Sequence, residues 1–160
     1  MASLSTNYIG RVSDIDIFGI NDESSIQDVT LAFGPGSVIS GPYKEAQKFL
    51  RVLLSDKGTL LGQTTYGTDF FKKLTHGTIL NEAQFRVFFA SAKAKALSFI
   101  YSAKLKEGVL DSRFKDDEII KDVDLYSVHV APGEVKATFK FTFRDDDADI
   151  IIPVGIPVGV

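Results

Sequence analysis

The sequence predicts an α+β fold, with two main helices packed on a mostly antiparallel sheet and C-terminal strands extending outward. Three observations predict it. A helical apolar stripe follows Ser40-Gly41-Pro42, and a second, much longer one runs from about Asn81 to Glu107. After the charged connector DSRFKDDE (Asp111 to Glu118), the apolar period changes from helical to two. The order is therefore a strand, helices, then a run of strands, which places helices over one face of a sheet.

Residues 1–27 are polar, with scattered apolar positions such as Ile15, Ile17, Phe18 and Ile20, and read as an arm or a short strand with loops. In Asp28 to Phe33, Val29, Leu31 and Phe33 alternate with Thr30 and Ala32, a short strand pattern, and Gly34-Pro35-Gly36 turns the chain. Pro42 suits the first position of a helix, where a missing N–H costs nothing. Tyr43, Ala46, Phe49/Leu50 and Leu53/Leu54 make that helix's stripe, and Gly58 supplies the stop. Asp69 to Leu74 reads as a short helical segment.

In the long helix Asn81 and Gln84 make a capping-box-like start. Phe85, Phe88/Phe89, Ala92, Ala96, Phe99 and Ala103 recur at three and four, and Gly108 ends it. Ile119 to Val130 reads as a strand whose alternation slips between Leu125 and Tyr126, the mark of a bulge. Past the turn Ala131-Pro132-Gly133, Val135, Ala137, Phe139, Phe141 and Phe143 face one side and Lys136, Thr138, Lys140 and Thr142 the other. The acidic turn RDDDAD leads into Ile150-Ile151-Ile152-Pro153-Val154 and a GIPVGV tail. The organisation is an arm (1–27), an α+β domain (28–149) and an apolar C-terminal strand or tail (150–160).

Composition removes several classes of function. At 160 residues the chain is the size of one domain, large enough to bury roughly two thirds of its unfolded surface. A net charge of -3 offers no broad basic face for nucleic acid, and no Lys/Arg run suits a membrane surface. Cysteine is absent, so disulfides, thiolate catalysis and Cys-based zinc sites are excluded. MASLSTNYIGRVSD has no charged region followed by an apolar core, so no secretory signal is expected. No stretch is apolar for long enough to span a bilayer as a helix.

Candidate chemistry is sparse. The two histidines, His76 and His129, fall in a Thr-His-Gly turn and near the slip of a strand, and both read as surface residues. Asp56, Asp69 and Glu82 flank the polar loop, where an acid/base pair for glycoside hydrolysis is conceivable. Local structure gives them other roles, since Asp69 could cap the short helix and Glu82 favours the dipole of the long one. Asp145, Asp146, Asp147 and Asp149 lack the spacing of a calcium loop and read as a solvated turn. Gly58, Gly62 and Gly67 do not make a phosphate-binding loop. Lys93, Lys95, Lys104 and Lys106 read as the long helix's solvated face.

The polar loop itself, Lys57 to Thr68, can hold a shape that glycine dihedrals permit. Phe70 and Phe71 suit the core, while Tyr66 suits either core or partner. The segment Ile150 to Val154 lacks polar alternation. It is either a strand buried within this chain or one completed by another chain, and Pro153 and Pro157 limit its pairing as an edge.

The stretch PGSVISGPYKEAQKFLRVLLSDKGTLLGQTTYGTDFFKKL resembles the small baseplate wedge proteins of contractile-tailed phages, the sheath-initiator family, also called tail-lysozyme-like, with relatives in type VI secretion baseplates. The spacing Leu53-Leu54, Lys57-Gly58-Thr59, Tyr66-Gly67-Thr68-Asp69-Phe70 carries the likeness, and the element order extends it over about residues 28–154. The family's Glu-Pro-Arg after the long helix is missing here, so no contact residue of that motif carries over. The resemblance implies a non-enzymatic virion protein of the tail baseplate without cofactor or metal. Its implied partners are other wedge proteins, the tail sheath, and tube or hub proteins. Gly58, Thr59, Tyr66 and Gly67 of the loop, and Ile150, Ile151, Ile152 and Val154 of the terminal segment, are the expected partner-binding residues. A sheath strand would be taken up by strand addition. The alternatives are a tail peptidoglycan hydrolase using Asp56, Asp69 or Glu82, and another tail or capsid adaptor.

Overall fold

Pro42 opens the most deeply buried helix of the structure, a computed structural model that describes residues 13–15, 38–108 and 115–158. The chain has the α+β composition its periodicities predict. In chain order the elements are β1 (Ser13–Ile15), β2 (Val38–Ser40), α1 (Gly41–Leu54), α2 (Phe70–Thr75), α3 (Glu82–Gly108), β3 (Ile120–Ala131), β4 (Glu134–Phe143) and β5 (Ile150–Pro157). The expected strand Asp28–Phe33, the rest of the arm and most of the connector lie outside the described residues. Among the described residues no helix is long and apolar enough to cross a membrane.

The chain divides into two compact units, each drawn from separate stretches of sequence. The first holds β1 and β2, which pair antiparallel with Ser13 opposite Ser40 and Ile15 opposite Val38. It also holds the start of α1, residues 120–127 of β3, residues 137–143 of β4, and β5 to Ile156. In β4 the period of two is realised in full: Val135, Ala137, Phe139, Phe141 and Phe143 are all buried, with partly or fully exposed positions between them. In β3 the buried positions change parity along the strand, from Ile120 to Val123 and then to Val128, past the exposed Tyr126. The three strands form one antiparallel sheet in the order β3-β4-β5.

The acidic turn between β4 and β5 is a structured hairpin end. Asp145 accepts from the Asp147 N–H at 3.2 Å, and Asp149 Oδ1 accepts from the Phe143 N–H at 3.2 Å. Asp149 also pairs with Lys140 at 3.4 Å.

Sequence periodicity does not anticipate the surroundings of the first turns of α1. Gly41, at φ 64°, turns the chain out of β2. Beyond Pro42, not only Ala46 but also Lys44, Glu45 and Gln47 are buried. Lys44 Nζ donates to Glu118 Oε1 at 3.1 Å and lies 3.6 Å from Glu45 Oε1. Glu118 closes a short 3-10 turn, Asp116–Glu118, by accepting from the Lys115 N–H. Charged groups tolerate such burial only when paired.

The second unit holds the rest of α1, the polar loop, α2, α3 and the β3–β4 hairpin end, Val128–Lys136. Its core is aromatic. Phe70 meets Phe85 edge to face, with ring centroids 5.0 Å apart, and Phe89 joins them at 6.3 Å. Phe49, Leu50 and Leu53 of α1 and Ala92, Ala96 and Ile100 of α3 are buried with them. The start of α3 is capped nearly as expected. Asn81 Oδ1 accepts from the Gln84 N–H at 2.9 Å, and Gln84 Oε1 reaches back to the Leu80 N–H at 2.8 Å.

Candidate functional site

The loop between α1 and α2 is a closed structure with its own internal bonds. Its ends are joined twice: the Thr68 N–H donates to the Ser55 carbonyl at 2.8 Å, and the Gly58 N–H donates to the Tyr66 carbonyl at 3.0 Å. Within it, successive turns link Thr59 to Asp56, Gln63 to Leu60 and Tyr66 to Gln63. The Thr59 hydroxyl adds a second bond to the Asp56 carbonyl at 2.8 Å. A compact loop with joined ends, packed by its own groups, is the form functional surface loops commonly take.

Two glycines explain why the loop closes where it does. Gly58 and Gly67 have φ of 79° and 90°, conformations that side-chain-bearing residues rarely adopt. Gly67 is further constrained by space. A Cβ there would lie 2.5 Å from the Asp56 carbonyl oxygen and 2.7 Å from that of Ser55, whereas one at Gly58 would meet nothing. Gly67 is therefore the point where the two ends of the loop touch backbone to backbone.

The loop hands the chain to α2 through Thr68. Its hydroxyl donates to the Leu53 carbonyl at 2.7 Å and accepts from the Phe70 N–H at 3.2 Å. The cap expected of Asp69 is absent: Asp69 occupies the N-cap position but makes no side-chain bond there. The buried hydroxyl one residue earlier already lies within reach of the first free N–H, and Asp69 is left exposed.

Of the expected loop residues, Gly58 and Thr59 are exposed, Tyr66 is half buried with its ring edge-on to Phe99, and Gly67 is buried. Tyr66 and Gly67 thus serve the loop's own architecture. What the loop presents outward is Leu60 and Leu61, the second fully exposed. Sequence reasoning passed over them. The available signal was two adjacent leucines in a polar, glycine-bounded stretch that belongs to no periodic element.

β5 lies beside β4 in its own sheet and is an edge strand among the described residues. Ile152, Val154 and Ile156 are buried, Ile150 is half buried and Ile151 is 56% exposed. Of the expected terminal residues, Ile152 and Val154 therefore belong to this chain's core, and Ile151 remains on the surface. The Val158 N–H donates to the Gly133 carbonyl at 3.1 Å. Backbone groups alternate sides along a strand, so the N–H groups of Ile152, Val154 and Ile156 share that inward direction. Ile151, Pro153, Gly155 and Pro157 turn their backbone groups to the other edge, unpaired among the described residues, where a proline removes no ladder bond. The open edge thus keeps the carbonyls of all four residues but only the Ile151 and Gly155 donors.

The residues considered for catalysis are dispersed in role. His76 closes α2 with its backbone N–H, bonded to the Lys72 carbonyl at 2.9 Å, and is exposed. His129 is exposed, 3.6 Å from a half-exposed Glu82. Asp56 uses its carbonyl in the loop, and its buried Oδ1 has no hydrogen-bond partner among the described residues. Among those residues no group of three or more His, Asp or Glu is placed to hold a metal ion. No known protein-family model, curated protein or solved structure matches this chain.

Proposed function

We propose that this protein is a structural subunit of a contractile-tail baseplate, a wedge component of the virion that seeds sheath assembly through its interfaces and makes or breaks no bond. The observation that carries the reading is the closed loop 55–68, which uses its glycines and threonines to hold itself and holds two leucines out to solvent. The pattern that resembles the wedge family coincides with that loop. Leu53, Gly58, Thr59, Tyr66, Gly67 and Thr68 each make one of its closing contacts.

In this reading Leu60 and Leu61 seat the loop on another wedge protein, because exposed apolar side chains on an ordered loop gain most by being covered. The open edge of β5 receives a strand of the sheath, which pairs by backbone hydrogen bonds. Tube or hub proteins are further neighbours.

The test is reconstitution of the baseplate with a Leu60→Asp/Leu61→Asp double variant. Its stability is expected to change by no more than about 1 kcal/mol, since Leu61 is fully exposed and Leu60 45% exposed. Incorporation is expected to fall by about tenfold or more, the loss typical of removing an apolar anchor. Unchanged incorporation, or cell-wall cleavage by the wild type that Asp69→Asn or Glu82→Gln abolishes, would overturn the proposal.

A further inference from the structure

We infer that the outward face of α3 is a seat for one acidic amphipathic helix of a partner chain. This deepens the assembly reading and rests on it, but it involves a different surface. The helix turns about 100° per residue, which places Ala83, Val87, Ala90, Ser91, Ala94, Ser98, Tyr101 and Leu105 along one side, opposite the buried Phe85, Phe89, Ala92 and Ala96. All eight outward residues are exposed, Val87 at 70% and Leu105 at 73%, with Tyr101 the least open of the large ones at 37% and in further contact within the chain. Of the lysines expected to form the solvated face, Lys93, Lys95 and Lys104 flank this side instead of occupying it.

The spacing is informative. Val87, Ser91, Ala94, Ser98, Tyr101 and Leu105 alternate steps of four and three, the repeat with which one helix follows another in a coiled coil. Small residues occupy the middle of the seam and larger apolar ones its two ends. The backbones can therefore approach closely at Ser91, Ala94 and Ser98 while Val87, Tyr101 and Leu105 cover the partner's side chains. The 27 residues of α3 span about 40 Å, enough for several heptads.

Charge identifies the occupant. Arg86, Lys93 and Lys104 lie on one shoulder of the seam and Lys95 on the other, and the only acids of the helix, Glu82 and Glu107, are at its two ends. Lys93 and Lys104 make further contacts within the chain, while Arg86 and Lys95 are exposed. A second copy of α3 would set cations against cations along both shoulders. A helix with Glu or Asp at its flanking positions would complement them instead. The occupant is thus not a second copy of α3 but a helix of different sequence, apolar along one stripe and acidic beside it.

Two 27-residue helical peptides test this, alike in Ala and Leu along the seam, one with Glu and one with Lys at every flanking position. Each is titrated into the full-length protein and followed by fluorescence anisotropy. The Glu peptide is expected to bind about tenfold tighter or more than the Lys peptide. An Ala94→Gln variant, altered only on the exposed face, is expected to weaken it by about tenfold, and Arg86→Glu/Lys95→Glu to reverse the preference. Equal binding, no binding by either peptide, or self-association through this face that Ala94→Gln abolishes would overturn the inference. If it fails while the Leu60→Asp/Leu61→Asp variant still loses incorporation, the helix seat is withdrawn and the assembly reading stands.

Discussion

The Thr68 hydroxyl lies 2.7 Å from the carbonyl oxygen of Leu53, a buried hydrogen bond that ties the start of α2 to the end of α1. The same hydroxyl oxygen accepts from the Phe70 N–H, so one side chain satisfies two orphaned helix ends.

Thr68→Val keeps the shape of this side chain and removes both bonds. It is expected to cost about 1–2 kcal/mol in chemical denaturation, and Thr68→Ser to recover most of it. Asp69→Ala, at the residue that sequence alone marks as the cap, is expected to change stability by less than about 0.5 kcal/mol. A larger loss at Asp69 than at Thr68 would reverse the assignment.

Gly58 and Gly67 share a left-handed backbone and differ in their surroundings, so alanine should separate them. Gly58→Ala is expected to cost about 1 kcal/mol from backbone strain alone. Gly67→Ala adds a collision with two carbonyl oxygens and is expected to cost at least about 2 kcal/mol more, or to open the loop. Amide exchange at Thr68, whose N–H closes the loop on Ser55, reads that opening directly.

Lys44 is 2% exposed between two buried carboxylates, those of Glu45 and Glu118. Lys44→Met removes the cation that lies between them and is expected to cost about 3–5 kcal/mol. Adding Glu118→Gln to Lys44→Met should restore part of that loss, because it removes one of the two buried charges that faced the lysine. Additive losses in the double-mutant cycle would show that the pair is not coupled.

Ile151→Pro tests the open edge of β5. It removes an outward N–H and leaves the bonds to β4 in place, so the melting temperature is expected to shift by only a few degrees. Sheath recruitment in a reconstituted baseplate is expected to fall, since Gly155 would then supply the one remaining outward donor. Unimpaired recruitment would exclude strand addition at this edge and leave the loop tip to account for assembly.

Several elements were legible because their causes are local. The stripe Phe85, Phe89, Ala92 and Ala96 falls on the buried side of α3, Asn81 and Gln84 cap it, and β4 buries each alternate residue from Val135 to Phe143. The loop was recognised as shaped by glycine, yet its exposed tip was missed, because nothing in the run Thr59-Leu60-Leu61-Gly62 says which side chains the closed loop turns outward. Of the lysines expected on the solvated face of α3, Lys95 is exposed while Lys93 and Lys104 are half buried, and the uncharged face beside them emerges only when exposure is read around the whole helix.

By itself the sequence determined the three helices and the strands that follow them, the aromatic core face of β4 and the places where the chain turns, but not the short strand β2 that precedes α1. Each of these depends on residues within a few positions of one another. Tertiary structure alone decided that Lys44 meets Glu118, 74 residues away, that Thr68 rather than Asp69 caps α2, and that β5 completes its own sheet. Those outcomes depend on which distant groups are brought within about 3 Å of one another, a distance at which hydrogen bonds form and which no local periodicity encodes.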